Sequence, residues 1–173
     1  MNRLQLIVIV FFITSFTAFG QTNIWNLLNE KDYSIQYPKK WQLNKSGIMG
    51  SRFILLSQLT SDTDKFKENV NLIIQDLTGY NIDLDKYVEI SEGQIKTMII
   101  DGNIISSNRI KNEKTEFQRV IYTGKQGAFN LKFEQYYWVQ NNKAYVLTLT
   151  CEANQFNDFK DTGEKILNSF KIK

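Results

Sequence analysis

Histidine is absent from all 173 residues, and this excludes more chemistry than any residue present suggests. Without imidazole the chain cannot build a histidine-ligated zinc site, a Ser-His-Asp or Cys-His nucleophile, or a histidine general base. Carboxylates, lysines, tyrosines and one thiol remain. Cysteine occurs once, at Cys151, so no internal disulfide can form. An odd cysteine in an exported chain can be a reactive thiol, but Cys151 lies inside an aromatic and β-branched stretch, where it reads as a small buried hydrophobe. Proline also occurs once, at Pro38. Charge of one sign is lacking too, with 21 Lys and Arg against 18 Asp and Glu. The lysines are scattered, so no nucleic-acid footprint is expected.

Long apolar runs are missing except at the start. Asn2 and Arg3 precede an apolar stretch from Leu4 to Phe19, and Ala18-Phe19-Gly20 supplies small residues for cleavage before Gln21, the pattern of a signal peptide. An uncleaved anchor is the alternative, but a span needs about 20 apolar residues, and Gln5, Thr14, Ser15 and Thr17 dilute this one. Residues 1–20 are therefore expected to be a signal peptide and 21–173 a single domain, exported to the periplasm or beyond with no stable membrane span. A chain of that size can bury about two-thirds of its unfolded surface, so it needs neither metal nor disulfide to fold.

What is present is a strand pattern. Phe129 to Glu152 reads as two long strands around Asn141-Asn142, a pair that tolerates the positive φ angles of a type I′ turn. With those two as turn residues, Trp138 lies opposite Tyr145, Tyr136 opposite Leu147, Tyr137 opposite Val146, and Phe133 opposite Thr150. Both faces carry apolar residues, which implies cover on both sides. Upstream, Ile24 to Leu28 is a short strand or a helical turn. Tyr33, Ile35 and Tyr37 share one face of a strand that Pro38 ends, and Trp41 to Leu43 begins the next. Arg52 to Leu59 is nearly continuous in apolar residues and reads as a strand covered on both faces. A charged, solvated loop spans residues 60–67. Val70, Leu72 and Ile74 line one side of a further strand.

Asp83 is a natural N-cap for a helix from Leu84 to about Ile99, with Leu84, Tyr87, Val88, Ser91, Ile95, Met98 and Ile99 on one face. Asp101-Gly102-Asn103 stops it. Strands at Ile104 to Lys111 and Glu116 to Thr123 follow, then a turn at Gly124-Lys125-Gln126-Gly127 and the hairpin, an antiparallel meander of four. A second helix opens at Asn154 or Gln155 and buries Phe156, Phe159, Gly163, Ile166, Leu167 and Phe170. The fold class is α+β: an α-β-α sandwich on a mostly antiparallel sheet of about six to seven strands, with one helix after the first strands and one at the C-terminus.

Three strings in order resemble PsbP-like and DcrB-like proteins. Tyr33 to Trp41 is similar to their strand, tyrosine-proline, turn and tryptophan entry. Phe66 to Leu72 resembles the lead into their central strand, and Ile166 to Phe170 their closing helix. The resemblance covers nearly all of residues 24–173 and implies an α-β-α sandwich with an antiparallel sheet. That fold serves an extrinsic subunit of photosystem II, a small-GTPase partner and bacterial envelope proteins, so it transfers no activity, and the matching motifs carry over no functional residue.

Candidate chemistry is sparse. Asp62 with Asp64, and Asp83 with Asp85, lack the ligand spacing a hard cation needs; loop solvation and the helix dipole account for them. No metal, cofactor or catalytic residue is expected. Glu134 and Glu152 could be a glycosidase pair only across a cleft, and a surface or edge salt bridge is the plainer role. Lys39, Lys40 and Trp41, with Tyr33 and Tyr37, could form a basic-aromatic patch. The ligand-binding candidates are Trp138, Tyr145, Tyr136 and Trp41, although cross-strand packing also explains the hairpin aromatics. The reading is an exported, non-enzymatic binding or interaction module of the bacterial envelope, its partner an unknown protein or envelope component. The alternatives are a carrier of a small apolar ligand between sheet and helix, and a carboxylate-dependent hydrolase using Asp62, Asp64, Glu134 or Glu152.

Overall fold

The computed structural model describes residues 24–111, 113 and 115–173. The expected signal peptide and its cleavage before Gln21 lie outside the described residues.

Ten strands and two α-helices follow one another as β1 (Trp25–Asn29), β2 (Tyr33–Pro38), β3 (Gln42–Asn44), β4 (Ser51–Leu56), β5 (Asn69–Asp76), α1 (Leu84–Met98), β6 (Ile100–Lys111), β7 (Glu116–Gln126), β8 (Phe129–Gln140), β9 (Lys143–Glu152), α2 (Phe156–Asn168) and β10 (Lys171–Ile172). Seven form one antiparallel sheet in the order β3-β4-β5-β9-β8-β7-β6. The remaining three form a small antiparallel sheet, β1-β2-β10. The large sheet has the seven strands at the upper end of the expected number. The small sheet and its last strand, β10, carry too few residues to show in a periodicity.

The β8–β9 hairpin has the register its turn predicts. Asn141 and Asn142 have φ of 54° and 55°, and Trp138 faces Tyr145, Tyr136 faces Leu147, Tyr137 faces Val146 and Phe133 faces Thr150. Because side chains alternate between faces, this register divides the apolar residues between two cores. One joins Tyr136, Trp138, Tyr145, Leu147, Leu149 and Cys151 to α2 and the small sheet through Ile35, Phe156, Ile166, Leu167 and Phe170. The other joins Tyr122, Tyr137 and Val146 to α1 through Ile95. At about 1.5–3 kcal/mol per fully buried large apolar side chain, the first and larger core dominates.

Several boundaries differ from the pattern reading. The meander turn is Gly127-Ala128, because Gln126 pairs with Phe129. Gly124 belongs to β7 instead: a Cβ there would sit 2.3 Å from Ile99 Cγ2, so glycine is needed for α1 to close on the sheet. β6 starts at Ile100, with bulges between Ile100 and Asn103 and between Ile104 and Ser106. β4 is buried on one face only, through Phe53 and Leu55, while Arg52 is exposed and Ile54 and Leu56 are half-buried. The 60–67 loop is less solvated than expected: Asp64 is buried and accepts bonds from the main-chain N–H groups of Thr60 and Phe66 and from the Thr60 hydroxyl. Those bonds hold its carboxyl below the usual carboxylate range.

Helix α1 is capped by Asp83, whose carboxylate accepts from the Lys86 N–H at 2.8 Å. Only Ile95 on it is buried, and Met98 is 75% exposed, so the expected apolar face covers the sheet with just part of its width. Helix α2 presses closer. A Cβ on Gly163 would meet Leu149 Cδ2 at 2.4 Å and Cγ at 3.2 Å, so the whole head of a fully buried leucine would have to move. Gly163→Ala gains about 1 kcal/mol of helix propensity and loses about 1–3 kcal/mol to overpacking. Exposed Gly93 in α1 has nothing within 4 Å of the same position. Thermal unfolding should therefore show Gly163→Ala melting below the parent and Gly93→Ala melting a few degrees above it; equal shifts would mean that α2 is not seated on Leu149.

Candidate functional site

A groove of about 690 Å³ lies where the C-terminal end of α2 and β10 meet the β6, β7 and β8 side of the large sheet. Its floor is aromatic. Phe117 stacks on Tyr136 at 4.7 Å between ring centroids, Trp138 lies 5.2 Å from both Phe117 and Phe170, and Tyr136 meets Trp138 edge-on at 5.8 Å. Ile110, Leu167 and Ile172 complete the apolar lining, and Thr115, Gln140, Asn168 and Lys171 supply the polar part. Among the described residues, Lys171 is the only charged one of that lining.

Backbone geometry places each part. Strand alternation puts Tyr136 and Trp138 on the α2 face of β8, and the β7–β8 register sets Arg119 opposite Tyr136. Ile110 faces Phe117 across β6 and β7. Helix α2 ends at Asn168, and Ser169 ties that end to β2: its hydroxyl accepts the Gln36 N–H at 2.8 Å and donates to the Ile166 carbonyl at 2.7 Å. The helix end, which forms one wall, is thus fixed by side chain and main chain together.

The polar handles of the aromatics are engaged. Trp138 Nε1 donates to Thr115 Oγ1 at 3.2 Å, and the Tyr136 hydroxyl donates to Asn168 Oδ1 at 3.3 Å. Burial raises the Tyr136 pKa, and the charge on Glu134 raises it further, so the phenol stays neutral and serves as a donor. The groove offers flat hydrocarbon faces with amide and hydroxyl groups at its rim. Among the described residues no carboxylate or thiol lines it.

Beside the floor runs a partly buried ionic network, and here the expected surface role for Glu134 is corrected. Glu134 is fully buried on the α2 face, opposite Leu149. Arg119 Nε donates to Glu134 Oε1 and its Nη2 to Glu164 Oε1, both at 2.7 Å, and Lys160 adds a bond to the same Glu164 oxygen at 3.2 Å. The aliphatic neighbours that bury Glu134 leave Arg119 as its counter-charge. Glu68 is also fully buried, and burial raises its pKa. Cys151 between the sheet and α2 is buried as expected, and desolvation, followed by the charges of Glu68 and Glu134, raises its pKa far above the usual thiol value.

The four aromatic candidates separate. Tyr136 and Trp138 line the groove. Tyr145 lies behind it, buried 6.5 Å from the Phe170 ring. Trp41 packs 6.4 Å from Phe159, toward the other end of α2. Tyr33, Tyr37 and Trp41 are all core residues, so the basic-aromatic patch reduces to two exposed lysines, Lys39 and Lys40. Of the carboxylates of the hydrolase reading, Glu134 and Glu152 lie on opposite faces of the sheet by register; Glu152 accepts from Gln155 Nε2 at 3.0 Å, and Asp64, bonded to Thr60 in its loop, lies near buried Glu68. Asp83 caps α1, and Asp85 pairs with Arg109. Among the described residues no group of three or more acidic or thiol side chains is placed to hold a metal ion. Between the sheet and α2, Gly163 packs on Leu149, and Ile166 and Leu167 are buried; the groove opens at the helix end, where Leu167 and Asn168 line it with Tyr136 and Trp138 of β8.

Phe117, Phe170 and Ile110 were missed as groove residues. A two-residue turn at Gly127-Ala128, signalled by the glycine (φ 58°), would have put Phe117 on the Trp138 face.

No protein-family model matches the chain, and no curated protein matches its sequence. Solved structures do. PsbP from the cyanobacterium Synechocystis superposes with a TM-score of 0.62 at 12% identity, covering 86% of this chain and 92% of that one. The fold is PsbP-like. Protein PA94 of Pseudomonas aeruginosa, of unknown function, gives 0.60 at 11% identity with 86% and 97% covered. LpqN of Mycobacterium tuberculosis, described as involved in cell envelope biogenesis, gives 0.60 at 13% with 86% and 90% covered. Identities this low carry the fold alone, and the site rests on this chain's own residues.

Removing the cation beside Glu134 would strand a buried carboxylate. Arg119→Met should cost about 3–5 kcal/mol in urea unfolding at neutral pH, and Arg119→Met with Glu134→Gln should recover most of that loss. A single variant as stable as the parent would show that Glu134 does not depend on Arg119.

Proposed function

We propose that this chain is an exported, non-enzymatic binding module of the bacterial cell envelope, and that it holds its partner in the aromatic groove between the end of α2 and strands β6 to β8. The groove carries the reading. Its volume of about 690 Å³ falls in the range of sites for small molecules or peptide side chains, and its lining combines aromatic faces with a few polar groups. Asp83, Asp64 and Glu134 serve capping, loop and ion-pair roles, which supports the non-enzymatic reading. The likeness to LpqN, described as involved in cell envelope biogenesis, and the apolar segment before Gln21 support an envelope location. No helix among the described residues is long and apolar enough to cross a membrane.

Two measurements test this. N-terminal sequencing of the protein recovered from its native host should begin at Gln21, in the periplasmic or extracellular fraction; an intact Met1 in the cytosol would contradict export. A photo-reactive residue at Gln140, on the groove rim, should give a defined adduct in living cells, while the same residue at exposed Gln126, at the far end of the meander, should not. Equal labelling at both positions would remove the groove as the binding site.

A further inference from the structure

The large sheet has two edges, and they are unlike. β3 is three residues long, whereas β6 has twelve. A long open edge presents a row of main-chain N–H and C=O groups that favours pairing with another strand. Among the described residues no strand pairs with the outer side of β6, and outside its ladder with β7 the one main-chain bond near it joins Gly102 N–H to the Ile99 carbonyl. Its two halves also differ. Both bulges fall in the first half, between Ile100 and Ser106, and bulges twist an edge away from pairing. From Ser106 to Lys111 the ladder is regular, each residue matched in turn from Ile121 to Glu116. This regular half borders the groove: Ile110 lines it and faces Phe117.

We infer that the partner is an extended peptide segment that adds as a strand to the edge of β6 at residues 106–111 and rests large apolar side chains on Ile110 and Phe117 at the open end of the groove. This rests on the groove being the binding site and specifies what enters it. Strand addition provides main-chain bonds for affinity, and alternate side chains entering an adjoining pocket provide selectivity. Charge sets the rest of the sequence. Lys171 is the one charged residue of the groove lining among the described residues, whereas Lys111 at the end of the paired half already meets Glu116 at 3.1 Å, so the acidic residue of the peptide lies within reach of Lys171. A second copy of this chain fits less well. Pairing the regular halves of two β6 strands about a twofold axis sets Ser106 or Ser107 against Ile110, and a serine side chain is too short and polar to cover Phe117.

The test is panning of a phage-displayed library of random twelve-residue peptides on the purified protein. Enriched peptides are then synthesised plain and with alternate main-chain nitrogens methylated, in both phases, and titrated by fluorescence anisotropy. Enrichment of apolar residues at alternate positions, with an Asp or Glu placed to reach Lys171, is expected. Methylation in one phase should weaken binding by about tenfold or more, because it deletes the ladder bonds while leaving the side chains. Lys171→Glu, an exposed change, should weaken it severalfold, and Ile110→Lys more. Absence of any enriched sequence overturns the inference. Binding indifferent to methylation in both phases but lost in Ile110→Lys overturns strand addition and leaves the groove reading standing. Binding lost on methylation but unchanged by Ile110→Lys and Lys171→Glu overturns the groove reading. A dimer of the protein itself that the selected peptides dissociate would replace the foreign peptide with a second copy.

Discussion

A two-residue turn governs this structure. Asn141 and Asn142 both adopt positive φ, which fixes the pairing of β8 with β9, and side chains on a strand alternate with period two. The turn therefore decides which aromatic enters which core. Trp138, Tyr136 and Tyr145 go to the α2 side; Tyr137 and Val146 go to the α1 side. A one-residue slip of β9 against β8 would set Tyr136 and Trp138 beside Val146 and Ala144 in place of Leu147 and Tyr145. The groove, the ionic network and the seating of both helices all follow from the pairing. The turn is itself held in place, since the Leu77 N–H at the end of β5 donates to the Asn142 carbonyl at 2.8 Å.

The two helices cover the sheet unequally, and this creates the groove. Gly163 lets α2 sit directly on Leu149, over β9 and β5, and the small sheet completes that layer. The helix ends at Asn168 before it reaches the outer strands of the meander. Phe117, Tyr136 and Trp138 consequently pack on one another and on Phe170, with one side of the cluster left open. Buried Glu134 and half-buried Arg119 lie where this open trough begins. A buried ion pair is weak evidence for stability; in this position it marks the boundary between closed core and open groove.

Much of this architecture is legible in the residues. The hairpin register, the Asp83 cap, the four-strand meander and the buried face of α2 follow from period, turn chemistry and capping. The features that were not legible share a cause: they depend on contacts between segments distant in sequence. Gly124 looks like a turn residue until Ile99 is seen to need its missing side chain. Glu134 looks like a surface charge until Arg119 and Glu164, from β7 and α2, converge on it. Met98 fits the apolar face of α1 by spacing, yet it lies past the edge of what that helix covers. Ile110 and Phe117 gain meaning only when α2 stops short of them. Of the aromatic candidates, Trp138 and Tyr136 mark the groove, whereas Tyr145 and Trp41 are core residues whose type alone could not distinguish them.

The division of aromatics between the two faces is the central claim, and proton–proton contacts observed by NMR test it most directly. The account predicts cross-peaks from the Trp138 indole to the rings of Phe117 and Phe170, whose centroids lie 5.2 Å away, and from Tyr137 to Tyr87, at 5.7 Å. Cross-peaks from Trp138 to Tyr87 would contradict it, because they would place the indole on the α1 side and leave the groove without its floor.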